Sequence, residues 1–437
     1  MVYAGQLCVA LCFMELAAKY PLAGSVYNWA KFLGVRPLAW AAGWLLLTAS
    51  VVSLAGVVLA LQINLPHLWA GFQWVGDGQG PLDYSINAVL LGGVMIFIST
   101  FINAWHVRLL ATINSICVVI ELLAAVALVV VLACHLVRGP QVFLSTHGYG
   151  AGLPGGYWGV FLVASLASGY VMYGFDTASS LGEEIRDPRR TAPKAILRAL
   201  LASFVLGGSI LALAIMASPD LADPRIGSAN GGLQLILRSV MSGYGGKLML
   251  FCVVVAVMVC ALVVHAAAIR LIFAMARDNA LPASQSLART HATRRTPVWA
   301  ALAVGAFALL ILLINLGQQK IFTMLTSIAV VMIYLSYLLV TAPLLWRRLR
   351  GQWPPAELRS QGYFHLGRWG LPINILAVLW GAAMAINLAW PRAEVFGEPW
   401  YLRFGAHIYI GVILGVGLLW YSLYGRHRFG VLDSQAS

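Results

Sequence analysis

An acidic residue follows two glycines inside a stretch that is apolar enough to cross a membrane. Near Tyr157–Leu181 the chain carries Gly169, Gly174 and Asp176. Glycine lowers helix stability by about 1 kcal/mol relative to alanine, and a carboxylate at the centre of a membrane helix costs about 2.5–3.5 kcal/mol. We therefore predict that this helix is interrupted at Gly174 and that its freed backbone groups line a polar cavity, as in secondary transporters. The alternative is a continuous helix that packs through its glycines, with Asp176 paired to a neighbour.

Asp176 has two interpretations at such a break. In one, its carboxylate meets a cationic group of a ligand or exchanges a proton. In the other, it caps the second half of the interrupted helix by accepting from free backbone N–H groups. We favour capping, alone or together with a proton role.

Two further ionisable residues lie deep within apolar segments. Glu121 lies in the segment INSICVVIELLA and is a candidate proton carrier or counter-ion, or else a neutral, hydrogen-bonded packing residue. His265 lies between VV and AAA, where a lone histidine is either a satisfied core residue or a group suited to proton coupling. Both are candidate site residues.

The composition identifies a membrane protein with many spans. Of the 437 residues, 61% are hydrophobic and only 10% are charged, which no soluble domain matches. The formal net charge of +13 is assigned to loops rather than to nucleic-acid binding. The six cysteines lie in apolar runs without metal-ligand spacing. We find no phosphate-binding glycine loop and no catalytic motif, so we predict no metal, no cofactor and no enzymatic activity.

Windows of about 20 apolar residues predict about eleven membrane spans. We also predict short interfacial helices in two connectors, Ser25–Leu33 and Gly231–Met241. The expected spans lie near Val2–Ala18, Leu38–Leu61, Ile86–Ala104, Ile113–His135, Tyr157–Leu181, Ala195–Ala217, Leu248–Phe273, Val298–Asn315, Ile321–Leu345, Leu371–Trp390 and Phe404–Leu423.

Most of the 28 Lys and Arg residues fall in loops on one side of this arrangement. The positive-inside rule places that side, and the C-terminus, in the cytoplasm, with Met1 outside. We expect the basic cluster of Arg347, Arg348 and Arg350 to fix topology and touch anionic head groups. Glu15 is expected to be a structural partner within the bundle. A chain that starts directly in a span, on the outside, predicts that one helix is missing ahead of Met1.

Three motifs resemble bacterial amino-acid permeases of the amino acid–polyamine–organocation superfamily. ELAAKYPLAGSVYNWAKFLG (Glu15–Gly34) resembles the second-helix signature, and GFDTASSLGEEIRDPRRTAPKAI (Gly174–Ile196) resembles the sixth helix and its following loop. ARDNALP (Ala276–Pro282) resembles the loop after helix eight. The motifs keep the family's order and spacing, and the span count and loop charge agree with it over the whole chain.

The resemblance implies an all-α fold, the five-plus-five inverted repeat of the leucine-transporter type. Residues 1–345 would form the transporter core, helices two to ten, and residues 346–437 an accessory helix pair with a cytoplasmic tail. The family's first helix, whose glycine-rich break receives the substrate carboxylate, has no counterpart here.

The resemblance also suggests roles for residues near the break. Carbonyls near Tyr170 and Tyr173 would take the substrate ammonium, with Tyr170 as an aromatic gate and bundle packing as the alternative for both. Phe175 is a further candidate, although packing beside the break is favoured. His265 falls where relatives place a side chain that faces the cavity. Some relatives carry a lysine at the position of Glu121, and its ammonium group stands in for a sodium ion. The charge of Glu121 is opposite, so the resemblance does not support that role here.

The resulting hypothesis is a secondary transporter of amino acids or related amines in the cytoplasmic membrane. It would be coupled to protons or to exchange, with a small-molecule substrate, the lipid bilayer and a second copy of the chain as partners. Alternatives are an exchanger of polyamines, choline or GABA-like amines, and a transport-inactive remnant or sensor. Glu183 and Glu184 are expected to pair with nearby arginines.

Overall fold

The computed structural model is helical throughout its described part, with no β-strand there. It describes residues 1–22, 24–34, 36–77, 80, 82–144, 146, 148, 155–179, 186–223, 226, 232–241, 243–291, 296–316 and 321–428. Glu183 and Glu184, whose pairing with arginines was expected, lie outside the described residues.

Nineteen α-helices follow one another along these ranges. The first ten are α1 Val2–Lys19, α2 Ser25–Leu33, α3 Arg36–Leu68, α4 Asp83–Trp105, α5 Val107–Cys134, α6 Gly156–Val171, α7 Pro188–Ala202, α8 Gly208–Ala217, α9 Leu233–Val240 and α10 Tyr244–Arg277. The remaining nine are α11 Ser284–Leu287, α12 Val298–Ile314, α13 Ile321–Leu349, α14 Ala356–Ser360, α15 Gly370–Ala389, α16 Ala393–Phe396, α17 Trp400–Arg403, α18 Gly405–Trp420 and α19 Arg426–Arg428.

The expected all-helical architecture with many spans is confirmed, with ten segments of spanning length where about eleven were expected. Within the described ranges, ten helical segments are long and apolar enough to cross a membrane, and α12 is a shorter apolar helix. The segment Pro188–Ala217 joins α7 and α8 through a π-helical turn, Ser203–Gly207. Short helices are present in both connectors where interfacial helices were expected, as α2 and α9. The chain is therefore a multi-pass membrane protein.

Helix α3 lies at the centre of the bundle. It packs against α10 and α13 and also contacts α2, α4 and α12. Its sequence is apolar and rich in small residues, and Ala49, Val52 and Ala55 are fully buried. Small residues let neighbouring backbones approach closely where lipid gives no hydrophobic drive for helix association.

Helix α1 is tied to α13 and to the segment before α15 by a buried ion pair. Glu15, which is fully buried, accepts hydrogen bonds from Arg348, from the Trp353 indole at 3.2 Å and from the Leu366 backbone N–H at 2.6 Å. The structural role expected for Glu15 is confirmed. The head-group role expected for Arg348 is wrong, because its guanidinium is buried against Glu15 and also approaches Asn374.

The other two arginines of that basic cluster are less buried. Arg350 is exposed and lies over the Trp346 ring at 4.3 Å from its centroid, and the half-buried Arg347 donates to the Leu33 carbonyl oxygen at 2.8 Å. A second ion pair, Lys19–Glu357, lies one helical turn beyond Glu15 on α1 and is exposed at Glu357. The Lys19 hydrogen bond lowers the pKa of Glu357.

Candidate functional site

Helix α6 is interrupted where the sequence predicted it. The helix ends at Val171, and a 3₁₀-helix follows over Phe175–Ser179. Gly174 between them has a φ of 85°, a left-handed conformation that disfavours any residue with a side chain. A Cβ atom at Gly174 would meet nothing within 4 Å, so there is space for a side chain. Glycine is required here by the backbone conformation and not by crowding.

The carboxyl group of Asp176 is buried beside this break and held from two other helices. It is 5% exposed. One carboxyl oxygen accepts from Ser25 Oγ at 2.9 Å, at the start of α2, and the other accepts from Tyr337 Oη on α13. Asp176 is the second residue of the 3₁₀-helix, and its carboxyl group also accepts from the backbone N–H groups of Asp176 and Thr177, as the capping interpretation expects.

Tyr337 connects the two sides of the break. Its hydroxyl accepts from the Gly174 backbone N–H at 3.1 Å and donates to Asp176. The Gly174 amide, which α6 cannot satisfy, therefore has a partner. The hydroxyl also supplies a donor to a carboxyl group that would otherwise be costly to bury.

A cavity of about 590 Å³ opens beside the break. Its walls come from the ends of α2 and α6 and from α3, α5, α10 and α13. The polar residues that line it are Ser25, Ser50, Ser53, Glu121, Tyr170, Tyr173, Asp176, Thr177, Ser203, Cys260 and Tyr337. Among the described lining residues there are two acids and no lysine, arginine or histidine, which favours a cationic group in the cavity.

The two tyrosines before the break form part of the wall. Tyr170 and Tyr173 pack edge to face, with their ring centroids 5.5 Å apart. The Tyr173 hydroxyl lies 3.3 Å from Ser53 Oγ on α3. Both rings therefore line the cavity at the position where the resemblance expects a substrate.

The structure places Phe175 outside the cavity lining. Its ring is 4% exposed and packs against Phe13 and Tyr337, with centroid separations of 5.9 and 5.5 Å. The packing interpretation of Phe175 therefore agrees with its contacts, and its candidacy as a binding residue does not.

His265 also lies outside the cavity lining. Its imidazole is fully buried between α4 and α12, with Nδ1 3.0 Å from Ser99 Oγ and Nε2 3.2 Å from the Ala301 carbonyl oxygen. Its α10 neighbours Val264 and Ala267 face the cavity instead. The expectation that His265 faces the cavity is wrong because the histidine projects from another side of α10.

Glu121, by contrast, lines the cavity together with Asp176. It reaches the lining from α5, and Asp176 lies on the far side of the break in α6. The structure thus brings together five predicted residues: Glu121, Tyr170, Tyr173, Gly174 and Asp176.

Several lining residues were missed in the sequence. Ser25 lies within the Glu15–Gly34 motif but was not singled out there, Ser53 lies outside the three motifs, and Ser203 begins the π-helical turn. Tyr337 lies in the segment IYLSYLLV of the ninth expected span. Two tyrosines and a serine in an apolar span were the available signal for this region, because tyrosine hydroxyls need partners when buried.

Two of the sequence motifs contact each other at one end of the bundle. Asp278 of ARDNALP accepts from Tyr27 Oη at 2.8 Å and from Lys31 Nζ at 2.5 Å, both in the Glu15–Gly34 motif. The Trp40 indole donates to the Ala280 carbonyl oxygen at 2.9 Å. These contacts fix α2 and the start of α3 against the end of α10.

Comparison with known proteins identifies similar chains along the whole length. A family model described as "Amino acid permease" matches residues 1–414. The amino-acid permease BAT1 of Arabidopsis thaliana is 26% identical over 89% of this chain and 76% of its own length. Amino-acid permease 2 of Neurospora crassa is 25% identical over 98% of this chain and 77% of its own. The branched-chain amino acid permease BcaP of Lactococcus lactis is 26% identical over 96% and 84%, respectively.

Proposed function

Because the chain belongs to the amino acid permease family, we propose that it is a secondary transporter that carries amino acids through the cavity beside Gly174. The observation that carries this proposal is the interrupted α6, which ends at a cavity lined by acids and hydroxyl groups. No covalent chemistry is needed, because transport requires only that the two ends of the substrate be bound and released.

The break is suited to the ammonium end of an amino acid. Backbone carbonyls at the end of α6 have no partner within that helix, and the C-terminal end of a helix dipole favours a cation. The Gly174 amide is already bound by Tyr337, so the break offers acceptors rather than donors. We therefore assign the ammonium to the carbonyls near Tyr170 and Tyr173, close to Asp176.

The rest of the cavity is suited to an uncharged substrate side chain. Leu46, Val57, Val264 and Ile333 supply apolar wall. Contact with these residues would favour aliphatic side chains through burial of apolar surface, at about 25 cal/mol per Å².

Asp176 and Glu121 are the proposed coupling groups. Both are carboxyl groups in one cavity, so a proton taken up on one side and released on the other would alter the charge that the cavity presents to the ammonium. Alternating access would expose the cavity to each side of the membrane in turn.

We further propose that the protein lies in the cytoplasmic membrane, with its C-terminus in the cytoplasm. The support is the uneven distribution of Lys and Arg among the loops. Assembly as a homodimer is part of the same proposal and is tested by the mass of the purified detergent complex.

Uptake into proteoliposomes tests the proposed function. The purified chain is reconstituted and given labelled leucine, alanine, lysine, glutamate and a polyamine, with the pH gradient in each direction. We expect saturable uptake of amino acids, with aliphatic ones preferred. The variant Asp176→Asn should lose at least about tenfold in uptake, since hydrogen bonds to charged groups are the strong ones.

The matched control is Glu357→Gln, which removes a carboxylate of an exposed ion pair outside the cavity. It should transport like the unmodified chain. The absence of saturable amino acid uptake by the unmodified chain, with the pH gradient in either direction, would overturn the proposal. If the polyamine alone were taken up, the substrate class would be polyamines rather than amino acids.

A further inference from the structure

The side chain of Tyr337 bonds both to the break in α6 and to the acid beside it. Its hydroxyl accepts from the Gly174 N–H at 3.1 Å and donates to one oxygen of Asp176. The hydroxyl and the break it holds are about 160 residues apart in the chain. The position of one hydroxyl therefore determines the positions of an amide and a carboxyl group on the cavity wall.

The ring of Tyr337 is itself fixed by packing. It is 3% exposed. Phe13 of α1 packs edge to face against it with a centroid separation of 4.9 Å, and the Phe175 ring centroid lies 5.5 Å away. A side chain with so little freedom loses little further entropy when its hydroxyl engages Asp176.

Ser25 provides a second donor to the same carboxyl group. It begins α2 with a φ of 28°, and Gly24 before it has a φ of 82°. A non-glycine residue with positive φ is held there by its surroundings at some energetic cost. Ser25 Oγ, 2.9 Å from Asp176, is thus placed by a turn with a defined left-handed backbone at the start of α2.

We propose that Tyr337 is a positioning residue for substrate binding: it holds the Asp176 carboxyl group in the orientation that the substrate ammonium meets, and it occupies the Gly174 N–H so that the break presents acceptors to that ammonium. The inference rests on the proposed function, since it concerns the same cavity. Helix α13 is not part of the broken helix. Through Tyr337 it nevertheless controls the shape of the break. Ser25 acts with Tyr337 on the other carboxyl oxygen.

Substitution of Tyr337 has a matched control on the same helix. Tyr337→Phe removes the hydroxyl and keeps the packed ring. Tyr334→Phe removes a hydroxyl from a tyrosine that is 1% exposed and whose polar neighbour is Gln6 rather than Gly174 or Asp176. Tyr334 does not line the cavity, so the two variants differ in the contact with the break.

Kinetics of uptake provide the first readout. We expect Tyr337→Phe to raise the KM for amino acid about tenfold, because it removes a hydrogen bond to a charged group. Its kcat per folded transporter and its melting temperature should stay close to those of Tyr334→Phe. Ser25→Ala should raise KM in the same direction. The double variant should raise KM by less than the product of the two single effects, because both donors act through Asp176.

Hydrogen–deuterium exchange provides a second readout that does not depend on transport. The peptide containing Gly174 should exchange faster in Tyr337→Phe than in the unmodified chain, and Tyr334→Phe should leave it unchanged. Equal KM and equal exchange in the two phenylalanine variants would overturn the inference, as would independent, multiplicative effects of Tyr337→Phe and Ser25→Ala. Absence of uptake by the unmodified chain would instead overturn the proposed function. The exchange data would still test whether the Tyr337 hydroxyl holds the Gly174 amide.

Discussion

Replacing Glu15 with glutamine should destabilise the protein far more than an equivalent change in an exposed ion pair nearby. Glu15 is fully buried, and its two oxygens accept from Arg348, the Trp353 indole and the Leu366 N–H. In Glu15→Gln one carboxylate oxygen becomes an NH2 group, which cannot accept from the surrounding donors. The substitution also leaves the Arg348 guanidinium without a counter-charge. Breaking a buried pair in this way costs about 3–5 kcal/mol.

The size of the expected effect follows from the chain length. An unfolding entropy of about 2.1 cal/mol/K per residue gives about 0.9 kcal/mol/K for this chain. A loss of about 3–5 kcal/mol then lowers the melting temperature by about 3–5 °C. The assay is thermal unfolding of the detergent-purified protein, followed by the size-exclusion peak that survives heating.

Glu357→Gln is the control, because Glu357 is exposed in its pair with Lys19, which lies on the same helix as Glu15. It should lower the melting temperature near neutral pH by much less than Glu15→Gln does, because exposed pairs contribute little. The double variant Glu15→Gln/Arg348→Met removes both charges and should recover part of the lost stability. Equal melting temperatures for Glu15→Gln and Glu357→Gln, or a double variant less stable than Glu15→Gln alone, would refute the reasoning.

Three further predictions concern the break, the buried histidine and the exposed ion pair. Gly174→Ala places a side chain on a backbone with a φ of 85°, which costs about 1–2 kcal/mol. Uptake into proteoliposomes should therefore fall at matched protein amounts. Unchanged uptake would argue against a role for this conformation. His265→Ala removes two buried hydrogen bonds outside the cavity lining, so the melting temperature should fall while the substrate KM stays constant. A changed KM with an unchanged melting temperature would indicate instead that His265 takes part in substrate binding. The Lys19 hydrogen bond lowers the pKa of Glu357, so any stabilisation from this pair is fully present above the ordinary Glu pKa of 4.5 and is lost as the pH falls through the lowered value. The difference in melting temperature between the unmodified chain and Glu357→Gln should therefore move towards zero on acidification, and a difference that grew instead would contradict the sign.

The break and its acid could be predicted from local sequence. A glycine with no Cβ tolerates the left-handed conformation, and a carboxyl group in an apolar span needs partners. Gly174 and Asp176 therefore indicated an interrupted helix before any contact was known. The number of spans followed equally directly, since hydrocarbon thickness sets the length of each apolar run.

The partners of Asp176 could not be predicted in this way. Ser25 and Tyr337 approach it from positions 151 and 161 residues away in the chain. Ser25 lies in one of the three motifs, but nothing in the local sequence of Ser25 or Tyr337 indicates that its hydroxyl group meets Asp176. The capping interpretation of Asp176 is local and agrees with its bonds to the Asp176 and Thr177 N–H groups, whereas its bonds to Ser25 and Tyr337 are long-range.

Sequence alone determined that this chain crosses the membrane many times, where one helix is broken and which acid lies beside the break. Only the tertiary structure decided that His265 projects away from the cavity, that Arg348 is buried against Glu15 and that Tyr337 holds the break. The physical reason is that a membrane helix is apolar on the face that meets lipid as well as on the face that meets protein. Its sequence therefore gives its length and depth but not the direction in which each side chain points, which is set by the packing of neighbouring helices.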